Sequence, residues 1–321
     1  MVYTPLPLRP CYKEYIWGGS HLKQDFGKRD APDTVAESWE LASHPDGESQ
    51  VESGEWIGWT IKKLGELDHD GFWGTSCEVG RFPLIVKLID AQRDLSIQVH
   101  PSDQSALPEE GEQGKAEMWY IVDCEPQAFL YLGFSRCITR EEFLQRAQDG
   151  SICEVLNRVR VTKGDVFYIM PGVIHAIGAG ILVAEIQQSS NTTFRIFDYW
   201  RQGANGNLRP LHLERAAAVT SFSLVFPEEC KANSSVVLPG FTMVEMFSCP
   251  YFQAYRADVS DLATFCCDGR SFQHLLCVEG KGCIRAGNKS YSFHRGKSFF
   301  LPAALGEYQI QGECKVLLSH I

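Results

Sequence analysis

Leu95-Ser96-Ile97-Gln98-Val99-His100-Pro101, then a polar loop, then Gly114-Lys115-Ala116-Glu117-Met118-Trp119-Tyr120: these two segments set the fold. In the first, Ile97 and Val99 alternate with Ser96, Gln98 and His100, so the period of a strand gathers a hydroxyl, an amide and an imidazole on one face. In the second, Lys115, Glu117 and Trp119 share a face by the same rule. A third segment, Asp165-Val166-Phe167-Tyr168-Ile169-Met170-Pro171-Gly172-Val173-Ile174-His175, reads as a strand and a Pro-Gly turn ending on a second histidine. Gln98, His100, Glu117 and His175 thus offer an amide oxygen, two imidazoles and a carboxylate, a donor set that admits zinc, iron, manganese or cobalt. Such a set leaves positions for water or substrate, as catalytic sites do. Lys115 projects toward the same side, and a cation there is explained by an anion or a developing oxyanion in the cavity.

Working outward, the run Phe82-Pro83-Leu84-Ile85-Val86-Lys87-Leu88-Ile89-Asp90-Ala91 reads as a buried strand broken by one lysine. Lys87 either snorkels to solvent or faces the metal's cavity and meets an anion there. Alternation places Glu37, Trp39 and Leu41 on one face of a strand, Val183, Glu185 and Gln187 on one face of another, and Thr193, Arg195 and Phe197 together on a third. Arg195 supplies a permanently charged planar donor. Residues 102–113 read as a flexible loop at the mouth of the site. At 139–158 the period changes: Thr139 with Glu142 forms a capping box ahead of Phe143, Leu144 and Ala147, predicting a helical hairpin that covers an edge.

A chain of 321 residues exceeds what one core comfortably serves, about 250 to 300 residues, so two packed units are expected. Thirty basic against 40 acidic residues give a net charge of −10, which argues against nucleic acid as a partner. A phosphorylated ligand would need a local cluster of Lys and Arg. The 12 cysteines contain no Cys-x-x-Cys pair and the sequence begins without the apolar core of a signal peptide, so reduced cytoplasmic thiols are expected. The longest apolar runs are too short to span a bilayer. A weak internal repeat lays Val161–Pro171 beside Phe293–Pro302 and Met118–Glu125 beside His274–Lys281; in it Gln273 stands for Glu117 and Gly306 for His175.

The order Gln98-x-His100, Glu117, His175 resembles the metal centre of the cupin barrels. Together with Tyr15-Ile-Trp-Gly-Gly, Glu37-Ser-Trp-Glu, Ser96-Ile-Gln-Val-His-Pro, Lys115-x-Glu-Met, Pro171-Gly-Val-Ile-His-Ala and Thr192-Thr-Phe-Arg-Ile-Phe-Asp-Tyr, it resembles the type I phosphomannose isomerase family in its compact bacterial form. The resemblance implies a mainly β double cupin, two jelly-roll β-barrels with a small helical insertion: a catalytic domain over 1–232 and a degenerate domain without metal over 233–321. It also implies one Zn2+ per chain, held by Gln98, His100, Glu117 and His175, with other divalent metals admissible. Active-site roles fall to Lys115, Glu185 and Arg195, and the phosphate end of the pocket to Ser96 and Lys87. Around Arg195 the spacing departs from that of the larger eukaryotic type.

The implied reaction interconverts mannose 6-phosphate and fructose 6-phosphate by proton transfer between C1 and C2 through an enediol. It requires a base, a donor to the sugar oxygens and stabilisation of enediolate charge, which this inventory contains. Glu185, Lys115 and a metal-bound hydroxide are all candidate bases, with Glu185 favoured. The implied partner is a sugar phosphate, with no nucleic acid and no membrane, on a cytoplasmic monomer or weak homodimer. Two rivals share the metal site: a mononuclear-iron cupin dioxygenase, and a sugar-phosphate-binding cupin without turnover.

Overall fold

The computed structural model describes the chain except residues 106–111, 204–205 and 231–233, and the side chains of 229–230 and 234–235. Most of the loop expected at the mouth of the site thus lies outside the described residues. Strands dominate, and they divide into two compact units.

One unit comprises Glu14–Gly19 and Ile89–Lys231. It holds a five-stranded sheet in the order Leu156–Arg160, Phe129–Phe134, His175–Ile177, Ile97–Val99, Phe194–Phe197. Alternation sorts its faces. Ile97, Val99, Ile174, Ala176, Phe194 and Ile196 belong to one apolar core with Phe143 and Ala147 of the helix Arg140–Asp149 and Ala216 and Ala217 of the helix Leu213–Val219. Gln98, His175 and Arg195 alternate with them and so project from the opposite face. A second set runs Val166–Ile169, Glu117–Cys124, Ile181–Gln188, with Glu117 opposite both Ile169 and Gln187 and Trp119 opposite Glu185. Directly opposed residues share a face, so Glu117, Trp119, Glu185 and Gln187 fall together, as their sequence period requires.

The expected helical hairpin is corrected. A single helix, Arg140–Asp149, starts where Thr139 Oγ1 accepts the Glu142 amide at 3.1 Å and ends at Gly150, whose φ of 83° suits a residue without Cβ. After a short 3-10 turn, Leu156–Arg160 is a strand paired with Phe129–Phe134. Asn157 fixes it by donating to the carbonyls of Leu132, Phe134 and Val225.

The other unit comprises Met1–Lys13, Ser20–Leu88 and Ala232–Ile321. Contact density therefore places Ser20–Leu88 with the C-terminal stretch, whereas the sequence reading kept all of 1–232 together. A ten-stranded sheet dominates it, with Gln273–Ala286 flanked by Ser298–Leu301 and Gly306–His320. Cys266 is exposed and Cys267 buried on the Leu262–Cys267 strand, the alternation expected of neighbours. In Glu37–Leu41, Trp39 Nε1 donates to Glu37 Oε2 at 2.7 Å, confirming their common face. His44 closes the short Ser43–His44 strand just before a turn, and its Nδ1 accepts the Asp46 amide. Among the described residues no helix is long and apolar enough to cross a membrane.

Candidate metal centre

His100, Glu117 and His175 converge, with one ligating atom from each lying within 4.8 Å of the others, and all three are buried. The Ile97–Val99 strand ends just before His100, and the turn at Pro171-Gly172, where Gly172 has φ 85°, brings His175 onto the adjacent strand opposite Gln98. His100 Nδ1 lies 2.8 Å from the Thr192 carbonyl and His175 Nδ1 2.8 Å from the Val173 carbonyl. A carbonyl only accepts, so each Nδ1 carries the ring proton and each Nε2 presents a lone pair. Those Nε2 atoms face each other at 3.2 Å. Glu117 Oε1 stands 3.3 Å from that of His175, and Glu117 Oε2 3.6 Å from that of His100. Converging lone pairs and a carboxylate are the donor set of a cation, and imidazole with carboxylate suits a borderline divalent ion. The Gln98 amide lies 3.4 Å from His175 Nε2, and turning it about its last torsion presents its oxygen there instead.

Electrostatics agree. Burial pushes the His175 imidazole down to about 4, against the hydrogen bond to Val173, with Lys115 lowering it further, so the ring stays neutral and able to ligate at neutral pH. Lys115, itself buried, donates to Glu117 Oε2 at 2.5 Å and to His100 Nε2 at 3.1 Å, and lies 4.0 Å from Glu185 Oε1. The indole of Trp119 donates to Glu185 Oε2 at 2.8 Å. An ammonium between two carboxylates at the rim of a donor cluster can stabilise charge developing on a bound oxygen or pass a proton.

The catalytic-domain model of type I phosphomannose isomerase matches residues 6–127, and the cupin-domain model of mannose-6-phosphate isomerase matches 242–321. The chain is 38% identical over 322 residues to the mannose-6-phosphate isomerase ManA of Bacillus subtilis, covering 100% of both. It belongs to the type I phosphomannose isomerase family. The mannose-6-phosphate isomerase of Streptococcus mutans is 33% identical, with 98% of each chain covered. The crystal structure of the mannose 6-phosphate isomerase from B. subtilis superposes with a TM-score of 0.91 at 34% identity, covering 99% of this chain and 100% of that one. A putative mannosephosphate isomerase from Archaeoglobus fulgidus, 24% identical, shares the fold with a TM-score of 0.78 over 98% of this chain and 97% of that one.

Of the residues expected at a type I site, the structure brings together Gln98, His100, Glu117, His175, Lys115 and Glu185. Arg195 lies directly opposite Gln98, and Ser96 is buried just before the same strand. Lys87 does not snorkel. It is buried, 3.6 Å from Glu37 Oε2 and over the Trp39 ring, so Glu37 is an anion that it meets in the structure. The carbonyls of Thr192 and Val173 escaped the sequence reading because main-chain atoms carry no residue identity. Trp119 was placed on the right face but given no role; its period-two spacing from Glu117 was the available signal.

Proposed function

We propose that this chain is a metal-dependent aldose-ketose isomerase that interconverts mannose 6-phosphate and fructose 6-phosphate. The carrying observation is the buried His100–Glu117–His175 cluster with Lys115 against it, in a chain 38% identical to ManA along its whole length. One Zn2+ would be held by His100, Glu117, His175 and the Gln98 amide oxygen, and when bound would supply Lewis-acid polarisation of the sugar oxygens. Glu185 removes the proton from one carbon and returns it to its neighbour, its carboxylate aimed by the Trp119 indole. Lys115 stabilises the enediolate oxygen, because its ammonium already stands among the carboxylates of the site. Arg195 binds the anionic substrate, and Ser96 lies at the phosphate end; the assignment of Lys87 to that end rests on the family resemblance alone.

The same reading takes the architecture as two jelly-roll cupin modules, catalytic over 1–232 and metal-free over 233–321, in a cytoplasmic protein that is a monomer or weak homodimer. The matches of the two family models to 6–127 and 242–321 support that division. The test is metal analysis coupled to an isomerase assay. About one divalent ion per chain, conversion of mannose 6-phosphate, and loss of activity on chelation are expected. Full activity in metal-free protein would overturn the mechanism.

A further inference from the structure

Three arginines gather beside the Ile97–Val99 strand around one carboxylate. Arg201 and Arg209 both reach Asp198 Oδ1, Arg209 at 3.1 Å, and the Asp198 side chain is 4% exposed. Arg201 is engaged through all three of its nitrogens: Nε donates to the Asp198 carbonyl at 3.2 Å, NH1 to the Asp94 carbonyl and NH2 to Asp198 Oδ1, while its guanidinium lies over the Tyr199 ring. Arg195, on the same segment, gives NH1 to the Pro210 carbonyl, and its Nε is buried with no hydrogen-bond partner among the described residues. Burial lowers the Arg195 guanidinium from its ordinary range, and Arg209 lowers it further, against Asp198. Two guanidiniums on the Asp198 carboxylate and a third, Arg195, within its electrostatic reach leave an excess of positive charge in a half-buried place, on a chain whose net charge is −10. Such an excess is costly without a counter-anion.

The backbone is bent to make this cluster. Tyr199 and Trp200 are consecutive non-glycine residues at φ 54° and 57°, in the left-handed region that side chains avoid. The bend returns the chain so that Arg201 folds back on Asp198, and a pair of strained residues of this kind persists where the surroundings hold it. The cluster also adjoins Ser96: Arg201 binds the carbonyl of Asp94, two positions before it, and Phe197 lies opposite Ile97, one position after it.

We infer that Arg209, together with Arg195 on the frame made by Asp198 and Arg201, is the residue that grips the phosphate dianion of the substrate and sets the preference for a phosphorylated over a free sugar. This rests on the isomerase reading above and adds to it a cationic partner for Ser96 that the sequence resemblance did not name. Arg209 keeps donors beyond the one given to Asp198, and a planar fork matches a phosphate better than a single ammonium does.

The experiment measures two things on wild type, Arg209→Gln, Arg209→Lys and Lys87→Met, each shown to be folded by its melting curve. Calorimetric binding of inorganic phosphate should weaken about tenfold or more in Arg209→Gln, with Arg209→Lys between it and wild type, the scale of a lost charge-assisted pair. In turnover, Arg209→Gln should raise KM for mannose 6-phosphate by at least about tenfold while kcat changes far less, as loss of uniform binding requires, and the ratio of kcat/KM for mannose 6-phosphate to that for mannose should fall with it. Lys87→Met should alter phosphate binding less than Arg209→Gln does. Unchanged phosphate affinity in Arg209→Gln, or a larger loss in Lys87→Met, would overturn the assignment. A wild-type protein that binds phosphate through Arg209 yet isomerises neither sugar would instead overturn the isomerase reading and leave the anion site standing. Should Arg209→Gln fail to fold, Arg209→Lys decides alone: affinity equal to wild type in both assays rejects the fork.

Discussion

The strand pair that carries Glu117 and the one that carries Gln273 are built on one plan. Met118 sits opposite Tyr168 on one side and Ile186 on the other; His274 sits opposite Phe300 and Ser319 in the same way. Each plan has a turn glycine ahead of its second strand, Gly164 at φ 93° and Gly296 at φ 86°. The repeat seen faintly in sequence is thus kept as strand register. Chemistry departs where the register does not. The position of Glu117 holds Gln273, that of His175 holds Gly306, and Gly306 is paired with Cys267 where His175 is paired with Gln98 on one side and Leu132 on the other. In the C-terminal copy the amide oxygen of Gln273 accepts the hydroxyl of fully buried Tyr308 at 2.5 Å, so the chain satisfies its own polar group. A β framework can be retained while a few side chains decide whether it gathers lone pairs for a cation or closes them off.

The hardest blow to this contrast is to give the first copy the second copy's residue. Glu117→Gln should cut metal affinity by about a thousandfold or more, beyond the 10–100-fold cost of losing an outer partner, and take isomerase activity with it. Elemental analysis of dialysed protein checks it; a variant that keeps its metal would mean that Glu117 is not what separates the copies. Next, Lys115→Met should lower kcat by roughly a hundredfold with metal retained, the scale of a missing oxyanion donor. An unchanged kcat would reduce Lys115 to a partner of Glu117.

Acid separates the copies more gently. His175 and His274 are both buried neutral imidazoles, pushed by burial down to about 4 and about 3, the latter also by Lys28. Their folded values lie below the unfolded 6.5, so the unfolded chain binds more protons between those limits. Metal-free protein should therefore lose stability as pH falls below about 6.5, with His175 contributing on the order of 3 kcal/mol by pH 4, from (6.5 − 4) × 1.36. Urea midpoints across pH check this, and a flat profile would contradict the burial of both rings. Bound metal should make the His175 part steeper and leave the His274 part as it was. Smallest of all, Tyr308→Phe should cost about 1 kcal/mol and leave metal content and turnover unchanged. A fall in turnover would show that the C-terminal copy still serves the reaction.

Much of the site could be read from spacing because strands expose alternate residues, and four ligands on strands and a Pro-Gly turn declare their faces. The helix at Arg140–Asp149 was equally open, since Thr139 and Glu142 mark its start. Its continuation was misjudged because Ile152, Val155 and Leu156 are apolar in an order that suits either a helix or a turn entering a strand, and the deciding bonds run from Asn157 to distant carbonyls. Lys87 could not be placed for a like reason: its carboxylate partner, Glu37, lies on another strand far back in the chain. The Asp198–Arg201 contact spans a left-handed bend at two residues, Tyr199 and Trp200, that give no sign of it in composition.

Because main-chain carbonyls, those of Thr192 and Val173, hold Nδ1 of both imidazoles, that hold is set by the polypeptide path and not by the identity of a partner side chain. The course of the two Nε2 lone pairs is therefore indifferent to which side chains stand at positions 173 and 192, so long as the main chain there keeps its place.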